Sequence, residues 1–331
     1  CRAVRDSRSA GEDKAALMKR LAAIEGLYVP SLFTVSYKQD GEIAAITPLK
    51  GVKDTIRRRV LPDLDAAPYP VQPIVPFLQT IHDRVAVEVA RGCTRGCRFC
   101  QAGYIYRPVR ERQPETIRSL VQQMLRHSGY DEVSLLSLST GDYSAIEPLV
   151  HDLMGCYAGQ RVAISLPSLR VGSLTPELMN EIKKVRKTGF TMAPEAGSER
   201  LRQVINKGIC EEDLIASARA AFELGWRVIK LYFMIGLPTE TDEDLDALVA
   251  LAARVKAAGR GTQGGADVNV SVSTFVPKAH SPFQWEAQIS FDETLSRQDK
   301  LRNALKQKRL RLKWHEAELS FLEGVFARGD R

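Results

Sequence analysis

The sequence predicts an α/β fold built on a parallel sheet. Three observations carry that prediction. Apolar, β-branched runs recur at 85–89, 133–138, 162–166, 190–193, 228–235 and 268–275, each of strand length and apolar enough to be covered on both faces. Segments of helical period separate them, as the crossovers between parallel strands require. Three cysteines stand directly after the first run, at the end of a strand, where chemistry is commonly mounted.

Taken in order, residues 1 to about 22 read as one amphipathic helix interrupted by Ser7-Arg-Ser-Ala-Gly11, with Ala15, Leu17, Met18, Leu21 and Ile24 as its apolar stripe. A hairpin follows. Phe33-Thr-Val-Ser-Tyr37 alternates, Asp40-Gly41 is a favoured turn pair, and 42–46 returns. Five prolines between Leu61 and Pro76 break all periodicity and mark a linker. Residues 1–80 are therefore expected to form a connector, 81–290 the core domain, and 291–331 a basic helical extension packed through Leu301, Leu305 and Leu312.

Within the core, Pro114 suits the first turn of a helix whose stripe is Ile117, Leu120, Val121, Met124 and Leu125, and Gly129 ends it. Thr175-Pro176 opens another, with Leu178, Ile182 and Val185 inward and Gly189 after it. Ser198 caps a third that stops near Gly208, the stretch to Gly225 is a fourth, and Thr241 with Asp244 makes a capping-box start for a fifth.

The cysteine loop is Arg91-Gly-Cys-Thr-Arg-Gly-Cys-Arg-Phe-Cys100, with thiols at Cys93, Cys97 and Cys100. Three thiolates in one short loop can wrap a soft metal centre. Structural zinc asks for a fourth ligand, usually from paired knuckles, whereas C-x3-C-x2-C leaves one iron of a 4Fe-4S cubane without a protein ligand. His82 and His127 have no knuckle spacing to the cysteines, yet zinc or inert structural thiols stay open as alternatives.

This loop resembles the cluster-binding motif of the radical S-adenosylmethionine (radical SAM) superfamily, with Phe99 as the aromatic before the third cysteine. The resemblance implies a partial (β/α)6 TIM-like barrel across 81–290 and a site at the strands' carboxyl ends. It further implies a 4Fe-4S cluster held by the three cysteines, which cleaves S-adenosylmethionine to a 5′-deoxyadenosyl radical that abstracts hydrogen from a substrate the sequence does not identify. After the second strand, Ser139-Thr-Gly-Asp142 stands where the family has Gly-Gly-Glu. Gly141 permits close backbone approach, and Asp142 offers a shorter carboxylate to the methionine amine. After the third, Arg170 suits the methionine carboxylate. After the fourth, Glu195 in Ala193-Pro-Glu-Ala-Gly-Ser198 is similar to a family glutamate that faces the cofactor. After the fifth, Met234-Ile-Gly-Leu-Pro-Thr-Glu240 resembles the family's Gly-x-Pro-x-Glu-Thr signature, which places the Gly236 backbone beside the adenine.

The core and flanks most resemble proteins in which a cobalamin-binding domain precedes the radical core. Cobalamin is thus expected only through a domain absent from this chain, where no Asp-x-His-x-x-Gly motif occurs, and further flanking domains are expected. A flavodoxin or ferredoxin is the expected reductant. Methylthiotransfer to transfer RNA or a ribosomal protein and cobalamin-dependent methyl transfer are the alternatives within the class. The first needs three more cluster cysteines, and Cys1, Cys156 and Cys210 are scattered. A zinc-braced nucleic-acid-binding module is the alternative outside the class. The basic run Lys300 to Lys313 offers it some support and makes RNA a candidate partner, although a solvated helix face explains such a run equally well. His315 reads as a surface or packing residue.

At 331 residues, with 44% hydrophobic and 26% charged residues and a net charge of +7, the chain can bury a large core. No run of eighteen apolar residues suggests a membrane span. Six cysteines, three of them clustered, do not make a disulfide framework, and a cluster needs a reducing compartment, so the cytoplasm is expected.

Overall fold

The computed structural model describes residues 1–167, 169–172, 175–185, 190–262 and 265–329. They fall into two compact units, Cys1–Pro62 and Asp63–Arg331. In the first unit, the opening segment is two helices rather than one interrupted helix, α1 (Arg2–Ser9) and α2 (Lys14–Ala22). The chain turns at Gly11, where φ is +65°, and the Asp13 carboxylate caps α2 by accepting from the Ala16 N–H at 2.7 Å. The expected hairpin is present as β1 (Phe33–Tyr37) and β2 (Ile43–Pro48), antiparallel around Asp40-Gly41.

The second unit opens with the proline-rich stretch, which lies down on the core. Leu64 is fully buried, and the Tyr69 hydroxyl donates to the Ala86 carbonyl at 2.8 Å while accepting from the Glu88 N–H at 3.1 Å. Then come β3 (Val85–Glu88), β4 (Ala90–Arg91), α3 (Ala102–Ile105), β5 (Arg110–Glu111), α4 (Pro114–Ser128), β6 (Glu132–Leu136), α5 (Ile146–Tyr157), β7 (Ala163–Ser165), α6 (Pro176–Ile182), β8 (Phe190–Glu195), α7 (Glu199–Val204), α8 (Glu211–Glu223), β9 (Val228–Ile235), α9 (Asp242–Ala258), β10 (Asp267–Thr274), α10 (Phe291–Gln307), β11 (Arg311–Trp314) and α11 (Ala317–Arg328).

All six expected strands form, in two parallel sheets ordered β3-β6-β7 and β8-β9-β10-β11. Among the described residues no ladder joins β7 to β8 or β3 to β11, so the wall is that of an open, partial barrel. The expected caps are present: Thr175 accepts from the Leu178 N–H, Ser198 from the Leu201 N–H, and Thr241 with Asp244 forms a capping box. Gly129 closes α4 in the left-handed conformation, whereas Gly189 lies outside the described residues.

Within each sheet, alternate residues point to opposite faces. Val85, Val87, Val133, Leu135 and Ile164 pack with the stripes of α4, α5 and α6. Ile229, Leu231, Phe233, Val268, Val270 and Val272 pack with α8, α9 and α10. The other face looks into the barrel.

The carboxyl segment contains the helices expected, but 311–314 is a strand rather than a continuation of the basic helix. The α10 helix ends at Gln307, Arg309 adopts φ +55°, and Leu312 and Trp314 pack on the large core while Arg311 and Lys313 face the other way. That alternation has the period of a strand.

Candidate active site

The cysteine loop leaves β4 through Gly92, whose φ is +97°. A Cβ there would lie 2.6 Å from the Tyr106 carbonyl oxygen and 2.8 Å from that of Pro108, so only glycine lets the loop turn against the following segment. Long-range bonds then fix it. The Arg98 N–H donates to the Ile205 carbonyl at 2.9 Å, the Asn206 amide to the Gly96 carbonyl at 2.9 Å, and the Arg107 guanidinium to the Cys93 carbonyl at 3.2 Å. The loop is thereby held between α3 and the end of α7.

Cys93, Cys97 and Cys100 line a single cavity of about 330 Å³, together with Arg95, Phe99, Ser139, Arg170, Thr191, Glu195, Lys207 and Tyr232 among others. The cavity sits at the carboxyl ends of the strands. Three of the six non-cysteine residues singled out from the sequence, Phe99, Arg170 and Glu195, are therefore brought together with the thiols. The other three do not line it: Asp142 and Gly141 are tied to its rim through Arg95 and Ser139, and Gly236 packs against Ile289. Asp142 accepts a two-pronged bond from Arg95 and a hydroxyl bond from Ser139, Gly141 precedes it in the same turn, and the Gly236 N–H donates to Glu240 at 2.8 Å.

Two residues were missed by sequence reasoning. Lys207 donates to Glu195 at 2.9 Å and stands 5.9 Å from the Phe99 ring centroid, with both partners of the ion pair mostly buried at 13% and 16% exposure. Arg95 lies inside the motif itself and ties the loop to Asp142. Arg95 had a signal, a cation between two thiols. Lys207 had none beyond the Asn206-Lys-Gly208 turn, whose first and last residues have positive φ.

Electrostatics follow from this packing. Burial pushes the Cys97 thiol up, and Lys207 and Arg170 pull the other way. Burial and nearby Arg95 lower Arg170. The Arg95 bond holds Asp142 below the ordinary carboxylate range. At Glu195 the backbone is in the left-handed region, φ +67°, and the ladder to β9 slips between Met192 and Glu195. That bulge turns the carboxylate into the cavity.

The donor set fits a cluster. The Arg95 N–H donates to Cys93 Sγ at 3.5 Å and the Gly103 N–H to Cys100 Sγ at 3.4 Å, so backbone groups orient two of the three sulfurs. Among the described residues no three His, Cys, Asp or Glu side chains gather around one ion position. A cubane does not ask for that, since each thiolate binds a different iron.

Comparison with known proteins agrees with this geometry. Residues 87–252, half of the chain, match the model of the radical SAM superfamily. The chain belongs to the radical SAM superfamily. Members of that superfamily use a 4Fe-4S cluster and S-adenosylmethionine. An uncharacterised protein of Methanocaldococcus jannaschii is 36% identical over 84% of this chain and 59% of its own length. A tRNA-2-methylthio-N(6)-dimethylallyladenosine synthase of Desulforamulus reducens is 26% identical over 51% of this chain and 39% of its own length. The chain thus spans less than two thirds of the length of each of these relatives. In fold it is similar to SuiB of Streptococcus suis bound to S-adenosylmethionine, with a TM-score of 0.51 at 12% identity, over 73% of this chain and 52% of that one. Among the described residues no helix is long and apolar enough to cross a membrane.

Proposed function

We propose that this chain is the catalytic core of an enzyme that abstracts a hydrogen atom from its substrate, with Cys93, Cys97 and Cys100 as ligands of the cluster and Phe99, Arg170 and Glu195 as contacts to S-adenosylmethionine. The observation that carries this reading is the convergence of the three thiols and those three side chains on one cavity at the barrel's carboxyl end. When bound, the cluster supplies the electron that splits a carbon–sulfur bond of S-adenosylmethionine.

The chain's own residues bind and orient. The Glu195 carboxylate and Arg170 guanidinium are complementary to the amine and carboxylate of the methionine end. Lys207 fixes Glu195 through one carboxylate oxygen and leaves the second for a ligand. Asp142 acts through Arg95 as a positioning residue for the loop between Cys93 and Cys97. Apolar Phe99, Leu138, Pro167 and Leu169 keep water from the reacting end. A small one-electron donor such as a flavodoxin or ferredoxin is the reductant in this reading, and the cytoplasm is its compartment because the thiols must stay reduced.

The test is anaerobic reconstitution with iron and sulfide. Roughly four irons and four sulfides per chain, with an electron-spin signal of the reduced protein that shifts on adding S-adenosylmethionine, supports the reading. Zinc retained in place of iron, or a signal indifferent to S-adenosylmethionine, overturns it.

A further inference from the structure

The strand register puts an unexpected row of charge on the inner face of the larger sheet. Thr191 on β8, Lys230 on β9, Asn269 on β10 and Arg311 on β11 are successive partners. Two residues further along, Tyr232, Ser271 and Lys313 form the next row. The alternate residues Ile229, Leu231, Val268, Val270, Leu312 and Trp314 pack on the helices, so both rows point away from the helical layer. They share that face with the cavity, because Thr191 and Tyr232 line it beside the cysteines.

Lys230, Arg311 and Lys313 are exposed, Arg311 at 78% of its side chain. Arg311 lies 3.8 Å from Asp267, which Lys256 already engages at 3.2 Å. Among the described residues Lys230 and Lys313 form no ion pair. Lysine on β11 has an ordinary explanation, since edge strands carry charge against unwanted pairing. Lys230 does not share it, because β9 lies inside the sheet between β8 and β10. Between Lys230 and Arg311, the Asn269 side-chain oxygen is buried without a hydrogen-bond partner. Among the described residues, Lys230 and Lys313 thus stand on one face without a counter-charge, beside an Arg311 whose acidic neighbour Asp267 is shared with Lys256.

We propose that this face binds a phosphate-bearing strand, single-stranded RNA, and leads one of its nucleotides to the cysteine cavity. The inference rests on the proposed function, which makes the cavity the place of reaction. Lys230 and Arg311 are two strand spacings apart, about 10 Å, and Arg311 and Lys313 about 7 Å. One phosphate cannot meet all three cations. Successive phosphates of a strand can, and Tyr232, 41% exposed at the cavity end, offers a base a ring to stack on.

The experiment is fluorescence anisotropy with an end-labelled single-stranded RNA of mixed sequence and the reconstituted protein, titrated across salt. Lys230→Gln and Lys313→Gln are each expected to lower the slope of log affinity against log salt by about 0.7, and the double variant by about 1.4. Lys306→Gln/Lys308→Gln, at the far end of α10, serves as the control and is expected to keep the full slope. Melting curves matching wild type confirm that the exposed substitutions leave the fold intact. An unchanged slope in the double variant, an equal fall in the control, or a mononucleotide that binds as tightly as the RNA overturns the inference. Binding is read without S-adenosylmethionine, so a failure of cofactor cleavage counts against the proposed function and not against this surface.

Discussion

Gly197 separates space from backbone strain more cleanly than any other glycine near the site. Its φ is not in the left-handed region, so alanine meets no conformational objection there. It meets a steric one. A Cβ would lie 2.1 Å from the Leu248 backbone nitrogen and 2.4 Å from its Cα, against the 3.4 Å at which ordinary contact begins. The loop after β8 and the helix α9 must therefore part by about 1.3 Å. That seam is also stapled by polar groups, since Ser198 and Arg200 donate to the buried Asp244 carboxylate. Overpacking of this kind costs about 3 kcal/mol, the upper part of the usual range, because both colliding surfaces are backbone. For a domain of this size the expected fall in Tm is roughly 5 to 6 °C. Scanning calorimetry of Gly197→Ala measures it. Gly155→Ala is the matched control: Gly155 is exposed within α5 with nothing within 4 Å of its would-be Cβ, so alanine should stabilise by about 0.5 to 1 kcal/mol. A Gly197→Ala protein that melts within a degree of wild type refutes the packing argument.

Three further outcomes are expected. Lys207→Met leaves the mostly buried Glu195 without its partner, at a cost of about 3 kcal/mol in urea denaturation, and weakens S-adenosylmethionine binding by calorimetry; Lys207→Met/Glu195→Gln should recover most of the stability, and a double variant no better than the single contradicts the pairing. At Glu240, burial pushes the carboxyl up while the Gly236 N–H and Arg297 pull it down. A carboxyl raised in the folded state favours folding as pH falls towards its unfolded value of 4.5, so the deficit of Arg297→Met should be larger at pH 8 than at pH 5, and equal deficits at both would count against it. At Asp244, burial pushes the carboxyl up, but the bonds from Ser198, Thr241 and Arg200 outweigh it and hold it below 3.8. Its contribution is present above 3.8 and lost as pH falls through the folded value, so wild type and Asp244→Asn should converge in stability only well below pH 3.8. Convergence already near neutrality would show that the staple carries nothing.

Much of this architecture is written locally. The six strands were legible because their apolar runs are bounded by turns and by capped helices, and Thr175, Ser198 and Thr241 cap the helices expected of them. The thiol loop was legible because its spacing is chemistry in itself. What escaped depends on register and distance along the chain. Arg311 to Trp314 alternates as a strand does, but it follows a basic helix and offers only four residues of pattern. Lys207 is remote in sequence from Cys97 and meets it only because α7 returns to the cysteine loop through the Arg98–Ile205 and Asn206–Gly96 bonds. Asp142 was legible as a carboxylate near the site. Its engagement by Arg95 depends on folding.

The most direct test of the central claim is anaerobic: reduce the reconstituted protein with dithionite in the presence of S-adenosylmethionine and quantify 5′-deoxyadenosine by chromatography. Formation of 5′-deoxyadenosine by the wild-type chain, and its loss in a folded Cys97→Ala variant, is the predicted result. Equal yields from wild type and Cys97→Ala would contradict the assignment of the three cysteines to the cluster.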